Sequence, residues 1–184
     1  MKKIILISGK AGHGKDTFAE MLKTEFESQH QKVVITHFAK HIKRILQDYY
    51  GWDGVTKDDY WRHKLQYLGT EMIRGQLNKP FFHAQRACED IAITANDFDY
   101  YIIPDCRFWN ELSYTQAYFP RKVIDIRIIR SNFESPLTAE QQQHRSETDL
   151  DDYDFSDYVC NLDLDSLRHR AIRRVGAWLS YEKI

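Results

Sequence analysis

Residues Lys3-Ile4-Ile5-Leu6-Ile7-Ser8 run directly into Gly9-Lys10-Ala11-Gly12-His13-Gly14-Lys15-Asp16-Thr17, and the fold is decided at this junction. The first stretch is a short apolar run of the kind that forms a buried parallel strand. The second has the spacing Gly-x4-Gly-Lys of a phosphate-binding loop, with glycines where successive backbone N–H groups must curl around an anion. Lys15 then stands at the start of a helix as a mobile positive charge. From Asp16 to about Phe26 the pattern is helical, with Phe18, Ala19, Leu22 and Phe26 on one face. Strand, loop and helix thus occur in the order a phosphate loop requires, and all of Gly9 to Thr17 are candidate nucleotide-binding residues.

One position departs from the usual pattern. The residue after the lysine is normally Ser or Thr, whose hydroxyl binds Mg²⁺, and here it is Asp16. Thr17 comes one residue too late, because a shift of one residue at a helix start turns a side chain by about 100°. The expectation is therefore that Thr17 faces a phosphate oxygen and that Asp16 holds the metal, directly or through water, the plainer alternative being that Asp16 only caps the helix.

The chain has 184 residues, enough for one domain with a proper core. Its 26 Lys and Arg against 27 Asp and Glu give a formal charge of −1, which offers no general support for binding nucleic acid or a membrane surface. Cys88, Cys106 and Cys160 are far apart and form no C-x-x-C pair, so neither a disulfide framework nor a zinc site is indicated. No apolar run approaches the roughly 20 residues of a membrane span, and no signal peptide is expected ahead of the first strand. A soluble, cytoplasmic protein is predicted.

Apolar runs alternate with longer helical segments, the signature of an α/β domain with a mainly parallel sheet flanked by helices. After the first strand, candidates are Lys32–His37, Tyr100–Pro104, Val123–Ile129 and Tyr158–Asn161, with a closing helix over Ser166–Ser180. About residues 58–97 form a helical insertion, broken near Asn78-Lys79-Pro80, large enough to build a substrate pocket. Residues 131–157 are polar and acidic and read as a mobile excursion, a lid.

Moving a phosphoryl group spreads negative charge over several oxygens that fixed cations must meet. Arg130 ends the fourth strand and Arg145 lies in the polar excursion, a layout suited to closing two guanidinium groups over phosphates. The third strand delivers Asp105 and Arg107 to its carboxyl end, where open α/β sheets bind ligands. Asp105 is a candidate for orienting metal-bound water or the acceptor, and Arg107 for a bidentate phosphate clamp. Glu111 reads equally well as an ordinary first-turn helix residue.

Taken in order, GKAGHGKDT, Phe38-Ala39-Lys40-His41-Ile42-Lys43, Leu65-Gln66-Tyr67-Leu68-Gly69-Thr70-Glu71-Met72-Ile73-Arg74, Asp105-Cys106-Arg107-Phe108-Trp109-Asn110-Glu111 and His144-Arg145-Ser146-Glu147-Thr148 resemble the deoxynucleoside monophosphate kinases, often encoded by bacteriophages. The resemblance spans nearly the whole sequence. It implies a P-loop NTPase-type α/β fold with an acceptor-binding insertion and a lid, ATP with Mg²⁺ as donor, and transfer of the γ-phosphoryl group to a nucleoside 5′-monophosphate. By position it implies that Lys15 meets the donor phosphates, that Phe38, Lys43, Arg74 and Arg107 serve the acceptor, and that Arg130 and Arg145 serve the lid. Catalytic roles then fall to Lys15, Asp105, Arg107, Arg130 and Arg145, and metal contacts to Asp16 and Asp105. A homodimer is left open. Where the family often reads Phe-Ala-Asp-Pro-Leu-Lys, Lys40 and His41 replace the acidic and proline positions here, so an acceptor contact changes from carboxylate to cation.

Other readings are weaker. His37 and His41 have i, i+4 spacing, but His37 ends a strand candidate and no third zinc ligand is evident. Trp52, Tyr60, Trp61, Tyr67, Phe81 and Phe82 offer rings for a base, although rings at this density are more often core. A phosphomevalonate kinase has a similar loop and is the nearest rival among enzymes. A non-catalytic switch of the GTPase type needs Asn-Lys-x-Asp, which Asn78-Lys79-Pro80-Phe81 does not supply. A DNA-dependent motor lacks its basic, aromatic-interleaved stripe.

Overall fold

A computed structural model describes residues 1–56, 58–131 and 133–181. Residue 132 of the expected lid lies outside the described residues. Five parallel strands, β1 (Lys3–Ser8), β2 (Val33–Ile35), β3 (Tyr100–Ile103), β4 (Val123–Ile129) and β5 (Asp157–Cys160), stand in the order β2-β3-β1-β4-β5. β1 is central, with Ile5 opposite Ile102 on one side and Ile124 on the other. Strands buried on both faces read as apolar runs, which is why Ile4–Ile7 carries no polar residue.

Alternate residues of β1 feed two cores. Ile5 and Ile7 pack with Phe18, Leu22 and Phe26 of α1 (Lys15–Ser28) and with Leu167, Ala171 and Val175 of α8 (Leu164–Tyr181). Ile4 and Leu6 pack on the opposite face with Ala84, Ala87 and Ile91 of α4 (Phe82–Thr94) and Leu112 of α5 (Trp109–Tyr118). The period of two thus makes β1 the shared wall of both layers.

Between β2 and β3 lie α2 (Lys40–Tyr50), α3 (Asp59–Gln66), a π-helix (Tyr67–Gln76) continuing directly from α3, and α4. Asn78, with φ 50°, takes the left-handed turn before α4, at the break that Asn78-Lys79-Pro80 predicts. Within 131–157, the described residues contain α6 (Ala139–Gln143) and α7 (Arg145–Thr148). Thr138 caps α6, accepting from the Gln141 N–H at 3.2 Å while Gln141 reaches back, a reciprocal box that a run of Gln conceals in sequence. Among the described residues no helix is long and apolar enough to cross a membrane. Cys88, Cys106 and Cys160 are free thiols, the first two buried.

Candidate active site

The carboxyl ends of the parallel strands open on a cleft of about 580 Å³. The loop after β1 supplies Ala11, Gly12, Lys15 and Asp16 to one wall. The β2–α2 loop gives Phe38, α2 and the turn after it give Lys43 and Trp52, the π-helix gives Arg74, and the β3–α5 loop gives Asp105 and Arg107 to the rest. Adjacent strands whose connections leave in opposite directions create such a crevice in open α/β sheets.

The loop's shape depends on glycine. Gly14 caps α1 with φ 90°, and a Cβ there would stand 2.6 Å from Asn161 Nδ2. Asn161, just past β5, donates to the His13 carbonyl at 3.0 Å and so braces the loop from outside. Lys15 is nearly buried and donates to the Gly9 and Lys10 carbonyls at 2.8 and 2.9 Å, its ammonium folded back across its own loop. Burial draws its pKa down from 10.5 to about 8, and the neighbouring Arg107 charge adds to the fall. An anion in the loop would favour the charged form.

On the wall facing the loop, Arg74 projects from the π-helix. Its Nη1 donates to the Gly69 carbonyl at 2.9 Å, its Nη2 donates to Glu111 Oε1 at 2.5 Å, and the guanidinium lies 3.8 Å over the Phe108 ring. Glu111 Oε2 accepts from the backbone N–H groups of Arg107 and Phe108 at 2.8 and 3.1 Å. One buried carboxylate therefore ties the π-helix to the β3–α5 loop. Burial pushes the Glu111 pKa up to about 7 against the pull of Arg74. Arg107 bonds the Glu147 carboxylate of α7 through Nη1, which also donates to the Ser146 carbonyl at 3.1 Å.

Asp105 lines the cleft, and its two oxygens accept from the Phe38 and Ala39 N–H groups at 2.9 and 3.1 Å. It thus satisfies donors at the entry to α2, a helix whose start has no side-chain cap of its own. Asp16 is exposed in the first turn of α1 and lines the cleft beside Lys15, a position suited to a cation held through water. Among the described residues no group of three or more His, Cys, Asp or Glu could by itself hold a metal ion. Mg²⁺ fits here as a nucleotide-borne cation, since it keeps several waters and takes few protein ligands.

Arg130 and Arg145 do not line the cleft. Arg130 lies 4.3 Å over the Phe133 ring, with Nη1 3.4 Å from the Gly12 carbonyl, at the loop's outer edge. Arg145 is exposed and donates to Asp149 at 2.7 Å. Thr17 is exposed as well. His83, which sequence reasoning passed over, lines the cleft at 3% exposure, and burial brings its pKa down to about 4. Its Nε2 lies 3.3 Å from the Gly69 carbonyl, the acceptor that Arg74 also uses.

A five-stranded all-parallel sheet with a Gly-x4-Gly-Lys loop after its central strand is the fold of the P-loop kinases. Among solved structures, APS kinase of Mycobacterium tuberculosis aligns with a TM-score of 0.51 at 8% identity, over 93% of this chain and 94% of that one. A sugar kinase of Janibacter sp. HTCC2649 aligns with a TM-score of 0.51 at 14% identity, over 98% and 95% of the two chains. In sequence, the chain is 29% identical over 163 residues to a phosphomevalonate kinase of Drosophila melanogaster, covering 83% of each. No family model matches the chain.

Proposed function

We propose that this chain transfers the γ-phosphoryl group of ATP to a nucleoside 5′-monophosphate, deoxynucleotides included, giving ADP and the diphosphate. The observation that carries the reading is that Lys15 of the phosphate loop and the acceptor-side cations Lys43, Arg74 and Arg107 share one cleft. The loop offers a donor site and the arginines an acceptor-phosphate site, which is what two anionic substrates in one cleft require. Phe38 and Trp52 add ring surface to the acceptor side, suited to a base.

A non-bridging oxygen of the acceptor phosphate attacks the γ-phosphorus, the bond to the β–γ bridging oxygen breaks, and its electron pair leaves with ADP. No protein nucleophile is needed. A phosphate monoester, with its second pKa near about 6, is already mostly ionised at neutral pH, so no general base is needed either. Mg²⁺ bound with ATP would neutralise charge on the β- and γ-oxygens. Lys15 would hold those oxygens, Asp16 would orient the ion's water shell, and Arg74 and Arg107 would align the acceptor. The 131–157 segment would act as the lid, bringing Arg130 and Arg145 toward the phosphates as it closes.

The 29% match to the Drosophila enzyme favours a second reading, a phosphorylated small acceptor such as phosphomevalonate. ADP release from purified protein, ATP and Mg²⁺ is to be measured with a panel of dNMPs and NMPs, with phosphomevalonate and with no acceptor. Turnover with a mononucleotide supports the proposal, and turnover with phosphomevalonate alone transfers it to the second reading. Acceptor-independent hydrolysis, or nucleotide binding without turnover, removes both in favour of a nucleotide switch.

A further inference from the structure

Glu147 belongs to α7, yet its carboxylate lies inside the cleft at 8% residue exposure. Its two oxygens face different elements: Oε2 accepts from the Ala11 N–H of the phosphate loop at 2.9 Å, and Oε1 accepts from Arg107 Nη1. The backbone around it is pinned as well. Lys10 Nζ donates to the Glu147 carbonyl at 2.5 Å and to Asp151, Arg127 also donates to Asp151 at 2.7 Å, and the Trp109 N–H donates to Asp149 at 2.7 Å. A carboxylate buried to this degree is tolerated only when donors meet it, and here they are a phosphate-loop N–H and the Arg107 guanidinium, whose relative placement the proposed phosphoryl transfer depends on.

We propose that Glu147 is a positioning residue that locks the Arg107 guanidinium to the phosphate loop. The proposal rests on the kinase reading above. With Nη1 turned to Glu147 and the Ser146 carbonyl, Arg107 can present only its remaining N–H groups to an anion in the cleft. The lock fixes the angle of the fork and holds Arg107 close enough to Lys15 for its charge to act on the lysine. Because the lock comes from α7, the segment expected to close over the phosphates also sets the acceptor-side arginine. A carboxylate that merely fills the anion site until substrate arrives would use similar contacts, but it predicts the opposite sign on removal.

The test is a double-mutant cycle in the full chain with Glu147→Gln and Arg107→Lys. The glutamine is nearly isosteric; its oxygen can still accept from Ala11, while its NH2 group opposes the arginine. The lock predicts that Glu147→Gln lowers kcat about tenfold with KM for ATP within about twofold, and adds less than about twofold in the Arg107→Lys background. It also predicts that inorganic phosphate, measured by calorimetry, binds at least about threefold more weakly to Glu147→Gln, with the same non-additivity. Effects that multiply independently, or tighter phosphate binding by Glu147→Gln, overturn it. If the glutamine variant does not fold, Glu147→Asp, which keeps the charge but withdraws it by one methylene, must show the same pattern. The phosphate arm reads the lock without turnover, so a wild-type chain inactive on every acceptor defeats the kinase reading alone.

Discussion

Arg74 and Glu111 meet in a buried ion pair, Nη2 to Oε1 at 2.5 Å, with side chains 9% and 5% exposed. The pair joins an insertion helix to the loop that carries Arg107, so one wall of the cleft is organised around a buried carboxylate. Glu111 also accepts from two backbone N–H groups, so Glu111→Gln, which turns an amide NH2 on one of these donors, should cost about 1–3 kcal/mol of stability at pH 5, read by denaturant unfolding.

The same carboxylate gives a pH signature. Its folded pKa, about 7, lies above the ordinary 4.5, so between those values the folded chain holds a proton that the unfolded chain has released. The stability contributed by Glu111 is complete below pH 4.5 and is lost as pH rises through about 7. Unfolding curves across this window should show the wild-type advantage over Glu111→Gln shrinking with rising pH. A constant gap would mean that Glu111 is ionised throughout.

Lys15 shifts the other way. Its folded pKa of about 8 lies below 10.5, so between these values the unfolded chain binds more protons and stability rises with pH. Lys15→Met removes the titration. Wild type should gain on the variant from pH 8 to 10.5 in unfolding measurements. In ADP-release assays, where the proposed reaction places this cation on the donor phosphates, its loss should lower turnover by at least about 100-fold.

Much of this arrangement was legible in the sequence. KIILIS ends where β1 ends, Val123–Ile129 is β4 residue for residue, and Lys15, Arg74 and Arg107 reach one cleft. Apolar period and glycine spacing are local properties, and a single sequence carries them. Burial of an acid is not local. Glu111 reads as a first-turn helix residue, and Glu147 is one acidic residue in a polar stretch, because their partners come from other elements. The π-helix is hidden for a similar reason: Leu65–Arg74 has ordinary helical periodicity, and no residue in it marks the change of hydrogen-bond register.

The two carboxylates expected near the metal should separate under titration. Asp105 is engaged by the Phe38 and Ala39 N–H groups, whereas Asp16 is exposed on the cleft wall. Asp16→Asn should raise the Mg²⁺ concentration for half-maximal turnover by about fivefold, roughly 1 kcal/mol of lost charge interaction. Asp105→Asn should leave that concentration unchanged and instead raise acceptor KM. It should also cost about 1–3 kcal/mol of stability, because an amide NH2 then opposes a backbone donor. The reverse pattern would make Asp105 the residue that orients the ion.

Gly14 offers a test of the loop that leaves every charge in place. Its φ of 90° disfavours any side chain, and an added Cβ would stand 2.6 Å from Asn161 Nδ2, so Gly14→Ala must bend the loop or displace its brace. The backbone strain alone should cost about 1–2 kcal/mol. Asn161→Ala removes the hydrogen bond to His13 and also makes room for the methyl group. If contact with Asn161 is the larger part of the damage, Asn161→Ala should restore stability to the Gly14→Ala chain while destabilising wild type. If strain dominates, the two losses should add. Thermal unfolding of the four proteins decides between them, and ATP affinity should follow the same order, since the His13 and Gly14 backbone shapes the phosphate cradle.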